Sequence, residues 1–318
     1  MLASPLGALR TTVRGRVDRT LAGMPRAGGR QSPGQLAAFA GPPGDPGLFG
    51  PTSTTWRVHG DLPSMLVGGV AALLLQSLHP MAMAGVADHS AYRSDPLGRL
   101  RRTAVFVGTT TFGSTEAAMR AIATVRAVHR HVRGTTPDGR RYDAADPALV
   151  TWVHTAEAWS FLRAYRRFGP APLGAAGADH YLQEMAVVAR HLGAEAVPTS
   201  VAEVRRYFTR VRPELGAGAQ ALSGAAFIVN VGGQSVPAAS LADRAAQAVL
   251  VQAAIDLVPP WARRMLGLRR PLLLERLGVR AAADAGCMTL RWAAGTSPAM
   301  AAARSRCTGE RALAPGTA

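Results

Sequence analysis

Lysine is missing from this chain of 318 residues, so its basic side chains are all arginine. The net charge of +16 would ordinarily point to nucleic acid or an anionic membrane surface. A composition rich in Ala, Gly, Arg and Pro and empty of lysine instead reads as GC-rich coding. No aromatic-interleaved basic run, zinc spacing or known nucleic-acid motif accompanies the charge, so nucleic acid is not expected as a partner. Cysteine is nearly absent too. Cys287 and Cys307 form neither a metal-ligand spacing nor a disulfide framework, which makes a reducing cytoplasm the default location. The nucleophile elbow G-x-S-x-G, the dinucleotide loop GxGxxG, the P-loop and H-E-x-x-H are all lacking. So is C-x-x-C-H, and any haem would therefore be held non-covalently.

What is present favours helix. Hydrophobic residues make up 48% and charged residues 18%, a globular composition long enough to bury a sizeable core. Ala, Leu and Arg all favour helix, no run alternates as a strand, and no internal repeat occurs. The expected fold is all-α, a single large multi-helix domain over residues 53–296. Residues 1–52, with GRQSPG and GPPGDPGLFGP, read as a flexible basic tail without the apolar core of a signal peptide. Residues 297–318 read as a loose C-terminal tail.

From Met65 the chain runs MLVGGVAALLLQSLHPMAMAGVADHS, near the length of a membrane span. Gln76, Ser77, His79 and Pro80 interrupt it, which suits a helix buried all round in a soluble core better than a span. Peripheral membrane contact stays open. After the turn Ser94-Asp95-Pro96-Leu97-Gly98 a helix is expected from about Arg99 to Phe112. Ser114 is the expected cap of the next helix, about 115 to 132, with Glu116 in its first turn. TTPDGRRYDAADP is expected as a turn-rich loop, and Asp146-Pro147 opens a helix to about Phe168. Later helices are expected around 178–192, 200–212, 238–257 and 279–294.

Three stretches carry polar chemistry. Arg99, Arg102 and Thr103, at i, i+3 and i+4, share one helix face, which is either a solvated basic face or a site for an anion or polar ligand. Ala118, Ile122, Val125, His129 and Val132 fall on one stripe, which aims His129 at the core. There it is a hydrogen-bonded core histidine or a ligand. His131 lies about 200° around the helix, so the two do not form a clamp. His154 follows Trp152-Val153, with Glu157 one turn on. His79 and His89 flank the end of the apolar segment as further core hydrogen-bonding groups.

The strings HPMAMAGVADHSAYRSDPLGRLRRT and VHRHVRGTTPDGRRYDAADPALVTWVH closely resemble the MpaB-type oxygenases, relatives of the latex-clearing rubber oxygenases. The resemblance covers about residues 55 to 265, and the order and spacing of the stretches make it specific. It implies an all-helical protein that binds haem b and uses dioxygen on a hydrophobic, isoprenoid-like alkene. The His-x-x-Val-Arg context of the family's proximal ligand is matched by His129-Arg130-His131-Val132-Arg133, so His129 is the implied iron ligand. His154 is the alternative ligand or a supporting residue. The family's Arg-x-x-Lys-Thr element is matched by Arg99 through Thr103, with Arg102 in place of the lysine. A neutral amine can ligate iron; a guanidinium stays protonated and cannot. The resemblance thus implies dioxygen opposite His129, with Arg99, Arg102 and Thr103 offering hydrogen bonds or charge to oxygen or to a haem propionate. A haem or hydrophobic-ligand carrier without turnover, and a helical membrane-associated protein without enzymatic activity, remain the competing readings.

Overall fold

The computed structural model describes Gly15 and residues 39–90, 96–234, 241–268, 273–295 and 297–309. Thirteen α-helices can be bounded among the described residues, beginning with α1 (Thr54–His59), α2 (Leu62–Gln76), α3 (Pro80–His89), α4 (Pro96–Phe112) and α5 (Thr115–His129). After a short hairpin of β1 (Arg133–Thr135) and β2 (Arg141–Asp143) come α6 (Pro147–Phe168), α7 (Ala175–Leu192), α8 (Val201–Val211) and α9 (Ala219–Gln234). The series closes with α10 (Leu241–Leu257), α11 (Pro260–Met265), α12 (Leu273–Ala294) and α13 (Pro298–Thr308). The all-helical reading holds.

The centre is the pairing of α2 with α6. Leu74, Leu75, Trp152, Leu162 and Tyr165 are all within 2% of complete burial there. Gly68 sets the approach of the two helices: a Cβ at that position would meet Phe161 Cδ1 at 2.8 Å and the Ala164 Cβ at 3.1 Å. Both helices start on aspartate caps, of which the sequence reading expects the one at Asp146-Pro147. The Asp61 carboxylate accepts from Ser64 N, and Asp146 accepts from Ala148 N with Pro147 at the first helical position. Likewise Ser114 caps α5 by accepting from Ala117 N, and Glu116 stands in its first turn.

Three expectations need correction. The apolar segment from Met65 is not one helix but two, bent by 105° between Gln76 and Pro80. Pro80 has no amide hydrogen to continue the ladder, so it starts α3 instead. Every position of α2 is nonetheless buried or half-buried, as a core helix requires. No single helix among the described residues is long and apolar enough to cross a membrane.

The expected loop at 135–147 contains β2, antiparallel to β1 with Gly134 opposite Tyr142. A Cβ at Gly134 would stand 2.5 Å from the Tyr142 hydroxyl, so only glycine admits that side chain. The hairpin also ends α5 at His129 rather than near Val132.

Finally, part of each expected tail is packed. Phe39, Trp56, Phe112, Ala299 and Ala303 form a small core of their own. Arg306, at 2% exposure, donates to the carbonyls of Phe39, Asp45, Phe112 and Gly113 at 2.8 to 3.1 Å. A glycine- and proline-rich stretch cannot pair its own carbonyls in regular structure, and here one guanidinium does it. Residues 1–14, 16–38 and 310–318 lie outside the described residues, as does the Ser94-Asp95 part of the expected turn.

Candidate functional site

His129 is the last residue of α5, and the chain around it is anchored on two sides. Val132 O accepts from Ala144 N across the hairpin. Tyr142 on β2 donates to Asp88 at 2.6 Å, and His89 Nε2 lies 3.1 Å from both the Tyr142 hydroxyl and Arg133 O. Burial and the Asp88 carboxylate together push the Tyr142 phenol up to about 12, so it stays a donor. The hairpin is thereby fixed to the end of α3. His89 serves this anchoring at the surface and not in the core.

His129 itself is half-buried. Its Nδ1 is enclosed and has no hydrogen-bond partner. Burial lowers its pKa against the opposing pull of Asp143, so the ring is neutral at pH 7 and keeps a lone pair. The neighbouring His131 is exposed and pairs with Ala127 O at 3.0 Å, on another face as expected.

Arg102 and Thr103 are exposed on α4. Arg99 lies on the same helix, but its side chain is outside the described residues. Gly113 and Ser114 join α4 to α5. Counted from that turn, Arg99 and His129 each lie about 20 Å along their helices. The two helices also expose apolar side chains: Val105 at 36%, Met119 at 37% and Val128, next to His129, at 56%.

His154 belongs to a different and deeper group. It is buried on α6, its Nε2 has no partner, and desolvation lowers its pKa to about 4. Its electrostatic neighbour is His59, at the end of α1. His59 is buried between Thr111 Oγ1 on α4, 2.7 Å from Nδ1, and the Tyr181 hydroxyl on α7, 2.9 Å from Nε2. Burial, and then His154, bring the His59 pKa down to about 3. Half-buried Glu157, one turn after His154, is pushed up to about 7 by desolvation. Burial raises the Tyr181 phenol further, with the Glu157 and Glu184 charges adding to it. Glu184 is committed elsewhere, accepting from the amides of Thr54 and Thr55 at the start of α1. The structure thus gathers His59, Thr111, His154, Glu157 and Tyr181, while the described contacts of His129 run to the hairpin.

His59 and Tyr181 escaped the sequence reading. The one signal for His59 was its position in Trp-Arg-Val-His, where Trp56, Val58 and His59 all turn inward. His79 is buried beside Trp152 with an unpartnered Nδ1, and desolvation lowers it to about 4.

Chemically, His79, His129 and His154 are imidazoles whose pKa is lowered by burial and which each keep one unpartnered nitrogen, while His59 has both of its nitrogens engaged. Among the described residues no three His, Cys, Asp or Glu side chains converge as a metal cage. An iron brought in by its own macrocycle needs as little as one imidazole from the protein. His129 offers one such imidazole nitrogen, with exposed Val128 next to it in the chain. The residues present fit the group.

Residues 56–292 match the family described as ER-bound oxygenase mpaB/B'/Rubber oxygenase, catalytic domain. The chain belongs to this family, which supports an oxygenase of the oxidoreductase class. No curated protein and no solved structure matches it.

Proposed function

We propose that the chain is a haem b-dependent oxygenase that uses dioxygen on a hydrophobic small molecule with an isoprenoid-like double bond. Family membership supports the oxygenase class. The observation that carries the cofactor is His129, whose neutral imidazole keeps an enclosed, unpartnered nitrogen beside exposed Val128.

In this reading His129 holds the iron, and the hairpin tied to α3 through Tyr142 and Asp88 fixes where its helix ends. Haem supplies the activation of dioxygen. Arg99, Arg102 and Thr103 offer donors and positive charge to the haem carboxylates or to an oxygen atom of the reactants. Arg102 cannot itself ligate, because its guanidinium stays charged. Exposed Val128, next to His129, gives the ring an apolar contact. The basic surface supports peripheral contact of a cytoplasmic protein with anionic lipid.

A second assignment of the ligand rests on His154, whose Nε2 is also buried and unpartnered. Visible spectra of the purified protein, oxidised and dithionite-reduced, with a pyridine haemochrome assay, decide the cofactor. Stoichiometric b-type haem is expected. A colourless protein that takes up no added haemin would end this proposal. Oxygen uptake with terpenoid alkenes then separates an oxygenase from a haem carrier.

A further inference from the structure

A cavity of about 450 Å³ opens at the far end of α6, enclosed by α6, α8, α10, α11 and α12. It begins nine residues beyond His154, about 13 Å along the helix, and takes in none of the histidines. Six arginines line it: Arg163, Arg166, Arg167, Arg205, Arg263 and Arg280.

The carboxylates present do not neutralise them. Arg167 forms a two-pronged pair with Asp284 at 2.8 and 2.9 Å. Asp256 accepts two bonds from Arg280, at 2.9 and 3.2 Å, and stands 3.6 Å from Arg263. Among the described residues, guanidinium groups outnumber carboxylates here, Asp256 and Asp284 standing against six arginines. Arg163, Arg166 and Arg205 have no carboxylate at ion-pair distance among the described residues. Arg163 rests over the Trp159 ring instead, 5.8 Å from its centre. Arg166 and Arg205 both lower the Arg163 pKa, after burial, and Asp256 pulls it the other way, so each of the two arginines stands close enough to repel Arg163.

The rest of the lining is of another kind. Phe168, Leu257, Val258 and Val279 give it an apolar wall. The enclosed Gln252 Oε1 has no hydrogen-bond partner, which leaves this carboxamide to whatever enters. A cavity of this size takes a small organic molecule. Guanidinium forks bind phosphate oxygens in pairs, and three forks on one cavity with no carboxylate at ion-pair distance among the described residues suit a group carrying more than one negative charge.

We infer that this cavity is a second binding site, for the phosphate group of an organic phosphate whose apolar body lies on Phe168, Leu257 and Val258. Arg163, Arg166 and Arg205 hold the phosphate, and the Gln252 amide holds a polar group next to it. The phosphate belongs to a soluble phosphomonoester or to a lipid headgroup, since the chemistry of recognition is the same.

The test titrates hexyl phosphate and inorganic phosphate into the full chain by calorimetry. In parallel, the protein is sedimented with phosphatidylcholine vesicles, with and without phosphatidic acid. The variants are Arg163→Gln with Arg205→Gln, and a control, Arg120→Gln, on exposed α5. Saturable binding of hexyl phosphate, tighter than that of inorganic phosphate, is expected. The double variant should weaken it about tenfold or more, with the control unchanged and circular dichroism showing an intact fold. Sedimentation that needs phosphatidic acid and is lost in the double variant, without hexyl phosphate binding, would assign the site to a lipid headgroup. If neither probe binds, or the double variant binds as the native chain does, the inference is overturned.

Discussion

The Tyr181 hydroxyl lies 2.9 Å from His59 Nε2, and the ring's other nitrogen is held 2.7 Å from Thr111 Oγ1. One buried imidazole thereby ties α1 to both α4 and α7. Tyr181→Phe removes the partner and leaves the ring nitrogen buried without one. The expected cost is about 1–3 kcal/mol, read as a lower denaturation midpoint with an unchanged slope. An unaltered midpoint would show that the pair contributes nothing to stability.

The same burial makes the fold sensitive to acid. His59 falls to about 3, and His79 and His154 to about 4, from an ordinary 6.5. Below 6.5 the unfolded chain takes up protons on these rings that the folded chain refuses until pH 4 or lower. Stability is thus expected to fall as pH drops from about 6.5 towards 4, by up to about 1.4 kcal/mol per pH unit for each ring. Glu157 acts in the opposite sense. Its carboxyl is raised from 4.5 to about 7, so the folded chain holds the extra proton and this contribution is lost as pH rises through 7. Glu157→Gln should therefore raise Tm at pH 8 and steepen the loss in acid. Thermal melts from pH 4 to 8 test both; a Tm that rises on acidification would contradict them.

Arg306 gives the clearest stability prediction. Its guanidinium serves four carbonyls from three separate parts of the chain, and it is almost wholly buried. Arg306→Met keeps the apolar stem and leaves those carbonyls without a donor. A loss of about 3–5 kcal/mol is expected by chemical denaturation, together with faster proteolysis within residues 39–50. Arg304→Met, two residues away on another face of the helix and exposed, should change neither.

How much of this was legible follows from the kind of signal involved. Ser114 and Asp146-Pro147 announce themselves locally, because a cap acts within one turn, whereas the break at Pro80 reads in the sequence only as an interruption of one helix. The stripe of Ala118, Ile122 and Val125 placed His129 towards the interior, and the structure leaves it half-buried because the helix ends there. Helix α13 could not be read: its alanines leave no apolar stripe, and its packing depends on Trp56 and Phe112 from far away in sequence. The His59–Tyr181 contact spans 122 residues, and the arginine-lined cavity draws on five helices. No local pattern encodes such meetings.

Charge crowding in that cavity has its own consequence without any ligand. Arg205 is exposed on α8 and adds to the repulsion felt by Arg163. Arg205→Gln should raise Tm slightly at low ionic strength, by an amount worth under about 1 kcal/mol, and the gain should vanish in high salt. A destabilised variant would mean that Arg205 makes a contact that outweighs the repulsion.

The proposed iron site is tested most sharply by two substitutions with different spectra. His129 is half-buried and hydrogen-bonded to nothing through Nδ1, so His129→Ala should cost the fold little, about 1 kcal/mol. It should nonetheless abolish haem retention, with circular dichroism unchanged. His154→Ala should show the reverse, a larger loss of stability with the Soret band kept, because His154 is buried beside His59. If the two results exchange places, His154 is the ligand. Arg102→Lys then asks what faces the iron from α4. Lysine can supply a neutral amine where arginine cannot, so a shift to a low-spin spectrum as pH is raised is expected. A spectrum indifferent to pH and to the substitution would place Arg102 away from the iron and leave it to the haem carboxylates.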